Sequence, residues 1–145
     1  MTIHDLDTPA LTIDLDILEK NIRETQEECD RFNIPLRIHT KTHKIPEIAK
    51  MQVEADAIGI VCQKVGEAEQ MVDAGLDDIL IPYNIIGKTK LDRLSALSRR
   101  AKMTVAADSS ITIRGLADAV ARHCVEIRVI VECDTGGNRC GVQSP

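Results

Sequence analysis

Residues 57–81 read AIGIVCQKVGEAEQMVDAGLDDILI, and this stretch holds one complete repeat of the chain's architecture. Ala57 to Cys62 is a nearly continuous apolar run, as a strand buried on both faces requires. From Val65 to Ala74 apolar residues recur at helical spacing, and Gly75 is placed to stop the helix. Asp78-Ile79-Leu80-Ile81 then reads as a second strand, reached through the short turn Gly75-Leu76-Asp77. A strand, a helix and a strand joined so tightly make a βαβ unit, with parallel strands and a right-handed crossover.

The same alternation extends in both directions. Towards the carboxyl end it predicts a helix from about Lys88 to Arg100, a strand over Met103–Ala107, a helix through residues 111–122 and a strand over Ile127–Val131. Towards the amino end, Ile45, Ile48, Ala49 and Met51 to Val53 outline a helix ending near Ala55, with Pro46 in its first turn, where a missing N–H costs nothing. Leu15, Leu18 and Ile22 outline another from Leu15 to about Cys29, with Asp14 as its cap and Asn33 and Pro35 as its stop. Ala10 to Ile13 is β-prone, so the chain is expected to open on a strand. The fold class is therefore α/β, built from parallel βα repeats. Doubly wound sheets and (β/α)8 barrels share this rhythm. No GxGxxG follows any strand, and the polar residues able to do chemistry, Lys41, Gln63, Tyr83, Asn84, Asp108 and Arg139, follow several different strands; both features favour a TIM-like barrel. A closed barrel takes about 250 residues. With 145 residues and five strands counted from Leu36, the expectation is the first part of a barrel, incomplete in this chain.

The first of those five strands lies in residues 36–44, LRIHTKTHK. Leu36, Ile38 and Thr40 alternate with Arg37, His39 and Lys41, and Pro46 then turns the backbone towards a helix, so Lys41 falls at or just past a strand's carboxyl end. If the extended backbone persists to residue 43, His39, Lys41 and His43 share one side. Neighbouring cations and partial burial disfavour an ammonium, which is how a lysine becomes a nucleophile near neutral pH. A solvated basic turn and an anion-binding patch are alternatives that local sequence leaves open. His39 and His43 lack a third ligand at useful spacing, so no metal site is assigned.

Composition narrows the function classes. The chain is 43% hydrophobic and 28% charged, with a net charge of −5, the balance of an ordinary globular domain and not of a nucleic-acid binder, which needs an extended basic face. Phe32 and Tyr83 are the only aromatic residues, so base-stacking platforms are missing and the core must be aliphatic. Five cysteines without a CxxC pair differ from a disulfide framework or zinc ribbon and point to a reducing, cytoplasmic compartment. No basic start followed by an apolar run, and no membrane-spanning length of apolar residues, is present, so no membrane partner is expected.

The last stretch, ECDTGGNRCG (132–141), joins a strand end to a glycine-rich turn carrying one arginine. Glycines let backbone pass close to a ligand, and the arginine offers a planar fork of donors to an anionic oxygen. Together with TPALTIDLDILEKNI, RIHTKTHKIPEIAK, VCQKVGEAE and AGLDDILIPYNIIG, in this order, it resembles the D-threonine aldolase and D-serine dehydratase family of alanine-racemase-like pyridoxal-phosphate enzymes. The resemblance covers nearly all of the chain. It implies that residues 1–145 are the N-terminal portion of a pyridoxal-phosphate-binding barrel domain, with the remainder of the barrel and a carboxyl-terminal β-domain lying beyond residue 145. The divalent-metal ligands of the full-length family are implied to lie there too.

Carried over by position, the resemblance makes Lys41 the catalytic lysine that anchors pyridoxal 5'-phosphate, with Lys44 as a neighbour, and puts Arg139 near the cofactor's phenolic oxygen. His39 and Gln63 are further cofactor-binding candidates. Glu132 stands where alanine racemases have a carbamylated lysine and is expected to hold Arg139 by a charge-assisted bond. At Tyr83-Asn84 the chain departs from the family's usual Asn followed by Pro or Glu, so those residues receive no role. The implied activity is a lyase acting on small D-configured β-hydroxy amino acids, either aldolase-like (cleavage to glycine and an aldehyde) or dehydratase-like; a racemase of the same fold is an alternative. A homo-oligomer is expected. The competing reading is a truncated, non-catalytic fragment that self-associates through open sheet edges and an unclosed apolar interior.

Overall fold

The computed structural model describes residues 2–143; Met1, Ser144 and Pro145 lie outside it. After a 3-10 turn at Ile3–Asp5, five helices and five strands alternate: α1 (Leu15–Arg31), β1 (Ile38–His39), α2 (Pro46–Glu54), β2 (Ile60–Val61), α3 (Val65–Asp73), β3 (Asp78–Ile81), α4 (Lys88–Leu97), β4 (Lys102–Ala107), α5 (Ser110–His123) and β5 (Arg128–Val131). The strands form one sheet in the order β1-β2-β3-β4-β5, and every pair is parallel. This is an open, incomplete barrel-like α/β sheet, with β1 and β5 as its edges.

The helix boundaries follow from local chemistry. Asp14 caps α1 by accepting the Ile17 N–H at 3.1 Å, and Ser109 caps α5 by accepting from Thr112 N–H. Pro46 occupies the first turn of α2, where its missing N–H leaves no bond unmade.

Register divides the sheet into two faces, because side chains alternate along each strand. Ile38, Ile60, Ile79 and Met103 are partners on one face and pack with Leu94, Met71, Ala68 and Leu116 of the helices in a single aliphatic core. His39, Val61, Leu80, Thr104 and Arg128 are in register on the opposite face. There Leu80 and Thr104 are only half-buried. The N-terminal end is clasped by Arg37, whose guanidinium pairs with the Asp78 carboxylate at 2.8 Å and reaches the Asp78 carbonyl at 3.2 Å. Gly59, at φ +144°, lies under it; a Cβ there would sit 2.6 Å from the Asp78 carbonyl oxygen.

Three sequence expectations change. Ala10–Ile13 is not a strand: no neighbouring backbone pairs with it among the described residues, and Leu11 stands 94% exposed. The extended backbone does not persist to residue 43, because Lys44 N–H bonds back to the Thr40 carbonyl at 2.8 Å and closes a turn in which Lys44 takes φ +57°. Ala57–Cys62 is regular strand only at Ile60 and Val61, although Ile58 N–H bonds to the Leu36 carbonyl and Cys62 N–H to the Leu80 carbonyl, both at 2.9 Å, and Ile58 is half exposed.

Candidate active site

The carboxyl ends of the odd-numbered strands converge on a cleft of about 370 Å³. His39 and Lys41 follow β1, Pro82 and Tyr83 follow β3, and Glu132 to Asp134, Thr135, Gly137, Arg139 and Cys140 follow β5. In a (β/α)8 sheet alternate strands aim their side chains into the same layer and catalytic groups sit at this end, so a shared site is what the topology dictates. A groove of about 440 Å³ between α1 and α2 has Glu19, Glu27 and Glu54 among its walls; it lies against helices, away from the strand ends.

Lys41 is held by the backbone around it. Thr40 is fully buried, and both its N–H (2.9 Å) and its hydroxyl (3.0 Å) donate to the Val61 carbonyl. His39 Nδ1 accepts the Lys41 N–H at 3.3 Å, and His43 Nδ1 accepts the Ile45 N–H at 3.0 Å. Both imidazoles are thus turned to local backbone. Burial, then the Lys41 cation, holds the His39 pKa below the ordinary histidine range; burial does the same for His43. The neutral His39 ring accepting at Nδ1 carries its proton on Nε2.

The opposite wall is the glycine-rich loop. Asp134 organises it: one carboxylate oxygen accepts the N–H groups of Gly136 at 2.9 Å and Asn138 at 3.1 Å, and the other accepts from the Gln143 carboxamide at 3.0 Å. These bonds, the Gly136 one foremost, hold its carboxyl below the usual range. Gly141, at φ +98°, lies against the backbone of Glu132 to Asp134, where a Cβ would come within 2.6 Å of Asp134 N. The Asp108 carboxylate accepts the Gly141 N–H at 3.3 Å, and Asn84 Oδ1 accepts the Asp108 N–H at 3.2 Å.

Arg139 donates to the Tyr83 hydroxyl, and no ion pair joins it to Glu132 among the described residues. The expected Glu132 partnership is replaced by Tyr83, a residue to which sequence alone gave no role. Gln63 follows β2, an even strand, and faces a neighbouring cavity with Lys64, Asn84 and Lys90. Its Oε1 is buried with no hydrogen-bond partner, though its carboxamide lies close enough to His39 to favour the protonated ring. Sequence reading also passed over Asp134 and Thr40. An Asp two positions before a Gly pair, Asp134-Thr135-Gly136-Gly137, was the available signal for the first, while Thr40 reads as a mere pleat position. Of the cysteines near the strand ends, Cys62 is fully buried with its thiol pushed up to about 11 by burial, which makes it inert at neutral pH.

The chain belongs to the alanine racemase N-terminal domain family, whose pattern it matches over residues 13–145. It is 43% identical over 137 residues to a D-threonine aldolase of Arthrobacter sp, covering 94% of this chain and 36% of that protein. Among solved structures it is similar to the D-threonine aldolase of Filomicrobium marinum, with a TM-score of 0.94, 46% identity and coverage of 97% of this chain and 38% of the other. It is likewise similar to the D-threo-3-hydroxyaspartate dehydratase of Delftia sp. HT23, with a TM-score of 0.87, 35% identity and coverage of 95% and 36%. The chain thus spans little more than a third of the length of these relatives. No helix of the described residues is long and apolar enough to cross a membrane.

Proposed function

We propose that this chain is the N-terminal portion of a pyridoxal-phosphate-binding barrel domain, and that it supplies the cofactor-anchoring half of a lyase for D-configured β-hydroxy amino acids. The carrying observation is that Lys41 and Arg139, from opposite ends of the sequence, line one cleft. The donor set fits the cofactor: a primary amine to bind its aldehyde carbon, a guanidinium for an anionic phenolic oxygen, and a glycine-rich loop whose backbone admits close approach. When bound, pyridoxal phosphate supplies an electron sink for charge released at the substrate's α-carbon.

The chain's own residues have the following parts. Lys41 would hold the cofactor through Nζ. Arg139, steadied by the Tyr83 hydroxyl, would offer a fixed cation to its phenolic oxygen. His39, neutral at pH 7 because burial and the Lys41 cation lower its pKa, offers a proton at Nε2, with the Gln63 carboxamide beside it. Asp134 and Asp108 set the loop that carries Arg139. The substrate is a small D-amino acid with a β-hydroxyl, cleaved to glycine and an aldehyde or dehydrated. The names of the relatives, D-threonine aldolase and D-threo-3-hydroxyaspartate dehydratase, support that class. The protein is a homo-oligomer in the cytoplasm on this reading.

The test is borohydride reduction of the intact protein with pyridoxal phosphate, followed by peptide mapping, beside assays for acetaldehyde from D-threonine and ammonia from D-serine. Label on Lys41 with either product is expected. Label on Lys44 or Lys64 instead refutes the assignment.

A further inference from the structure

Two lysines flank the same turn, yet only Lys41 lines the cleft. Lys44, three positions on, points its ammonium to within 3.8 Å of Glu67 Oε1. Glu67 is unusual for a carboxylate in being only 9% exposed, since glutamates are almost never fully buried unless paired. It is the third residue of α3, and its Oε2 accepts the Gln63 N–H at 2.8 Å. Helix capping accounts for that bond, as glutamate at this position often reaches back to satisfy a free N–H. Capping does not account for the second oxygen, which faces the turn after β1 and not solvent. The same carboxylate is near enough to His39 to favour its protonated ring, and His39 in turn receives the Lys41 N–H. One buried group therefore touches the β2–α3 loop and the far end of the Lys41 turn, and its charge reaches the ring between them.

We propose that Glu67 is a positioning residue for Lys41: it ties the turn after β1 to the loop after β2 and draws Lys44 aside, so that Lys41 alone presents its amine to the cleft. This rests on the reading of Lys41 as the cofactor lysine. Two variants separate the contributions. Glu67→Gln keeps an acceptor for the Gln63 N–H, and so keeps the helix start, but removes the charge that draws Lys44. Glu67→Ala removes both.

The experiment measures competitive acylation of Lys41 and Lys44 in the cofactor-free intact protein, by mass spectrometry at low reagent. It is paired with borohydride mapping and with the pH titration of the bound cofactor's visible absorption. Glu67→Gln is expected to raise the Lys44-to-Lys41 labelling ratio roughly two- to fivefold, the scale of a partly exposed ion pair. Glu67→Ala should raise it roughly tenfold, because a buried N–H is also left unpaired. Phosphopyridoxyl label should begin to appear on Lys44, and the absorption titration should shift. Unchanged ratios, mapping and titration in Glu67→Gln, with only the thermal midpoint lowered, would reduce Glu67 to a helix cap and overturn the proposal. A shifted acylation ratio in a protein whose Lys41 never takes up pyridoxal phosphate would sink the functional reading while leaving Glu67's hold on the turn standing.

Discussion

Replacing Thr40 by valine tests how the Lys41 turn is held. The side chain is fully buried, so valine, nearly the same shape, fills the space and removes only the hydroxyl. The main bond lost is Thr40 Oγ1 to the Val61 carbonyl at 3.0 Å, with a weak one between the hydroxyl and Cys62 Sγ at 3.7 Å. That carbonyl keeps the Thr40 N–H at 2.9 Å, so no buried acceptor is orphaned. The cost is then the net worth of one neutral hydrogen bond, about 0.5–1.5 kcal/mol, and not the larger penalty of an unsatisfied group. A midpoint shift of about 2–4 °C per kcal/mol corresponds to it. If the opening is local, native-state hydrogen exchange at the Thr40 and Lys44 amides should speed up by roughly 2- to 12-fold while core amides of β4 stay unchanged. Thr40→Ser separates hydroxyl from methyl. A serine variant as destabilised as the valine one, or a valine variant costing more than about 3 kcal/mol, would show that packing against Cys62, and not the hydrogen bond, fixes this turn.

Gly59→Ala should cost about 1–3 kcal/mol in urea unfolding, since φ is +144° and the new Cβ meets the Asp78 carbonyl; a loss below about 0.5 kcal/mol would contradict the clasp. Arg139→Leu is expected to lower turnover roughly a hundredfold with a thermal midpoint close to that of the parent, because the side chain is exposed and its partner is a single hydroxyl; loss of fold before loss of turnover would make it structural. His39 and His43 both have pKa values lowered mainly by burial, so the unfolded chain binds more protons between their folded values and about 6.5, and stability rises with pH across that window. Their contribution is complete above it and is lost as pH falls through it; a double His39→Gln, His43→Gln variant should flatten the midpoint between pH 7 and 5.

The helices and the central strands were legible because their signals are local: Asp14, Pro46 and Gly75 mark ends that depend on a few neighbouring residues. Asp78–Ile81 matches its expected bounds, since a run between two turn signals needs no distant information. Ala10–Ile13 misled because β propensity reports a preference for a pleated, half-buried surface, and no partner strand supplies one here. The Lys41 turn was half legible. Alternation fixed the strand end, but the bond from Lys44 N–H to the Thr40 carbonyl competes with continued extension and leaves no periodic trace. Tyr83 with Arg139 was beyond reach for another reason: the pairing depends on β3 and β5 being two positions apart in the sheet, which is a matter of curvature and not of spacing. Glu132 looked the better partner on charge alone; it lines the same cleft, yet among the described residues Arg139 bonds to the Tyr83 hydroxyl instead.

The strict sequential order of the strands bears on how the cleft comes into being. Each pairing, Ile38 with Ile60, Ile60 with Ile79, Ile79 with Met103 and Val105 with Val129, joins segments roughly twenty residues apart, so each step closes a loop of similar and modest entropy. The sheet can therefore lengthen one repeat at a time as the polypeptide leaves the ribosome, amino end first. Lys41 is in place after the first step and waits, whereas Arg139 arrives only when β5 has docked. A slip of one residue at any intervening pairing would turn a strand's side chains to the wrong face and carry the arginine away from the lysine. On the proposed function, cofactor capture at Lys41 and Arg139 together would act as an assembly checkpoint, reporting that four successive registrations were all made correctly.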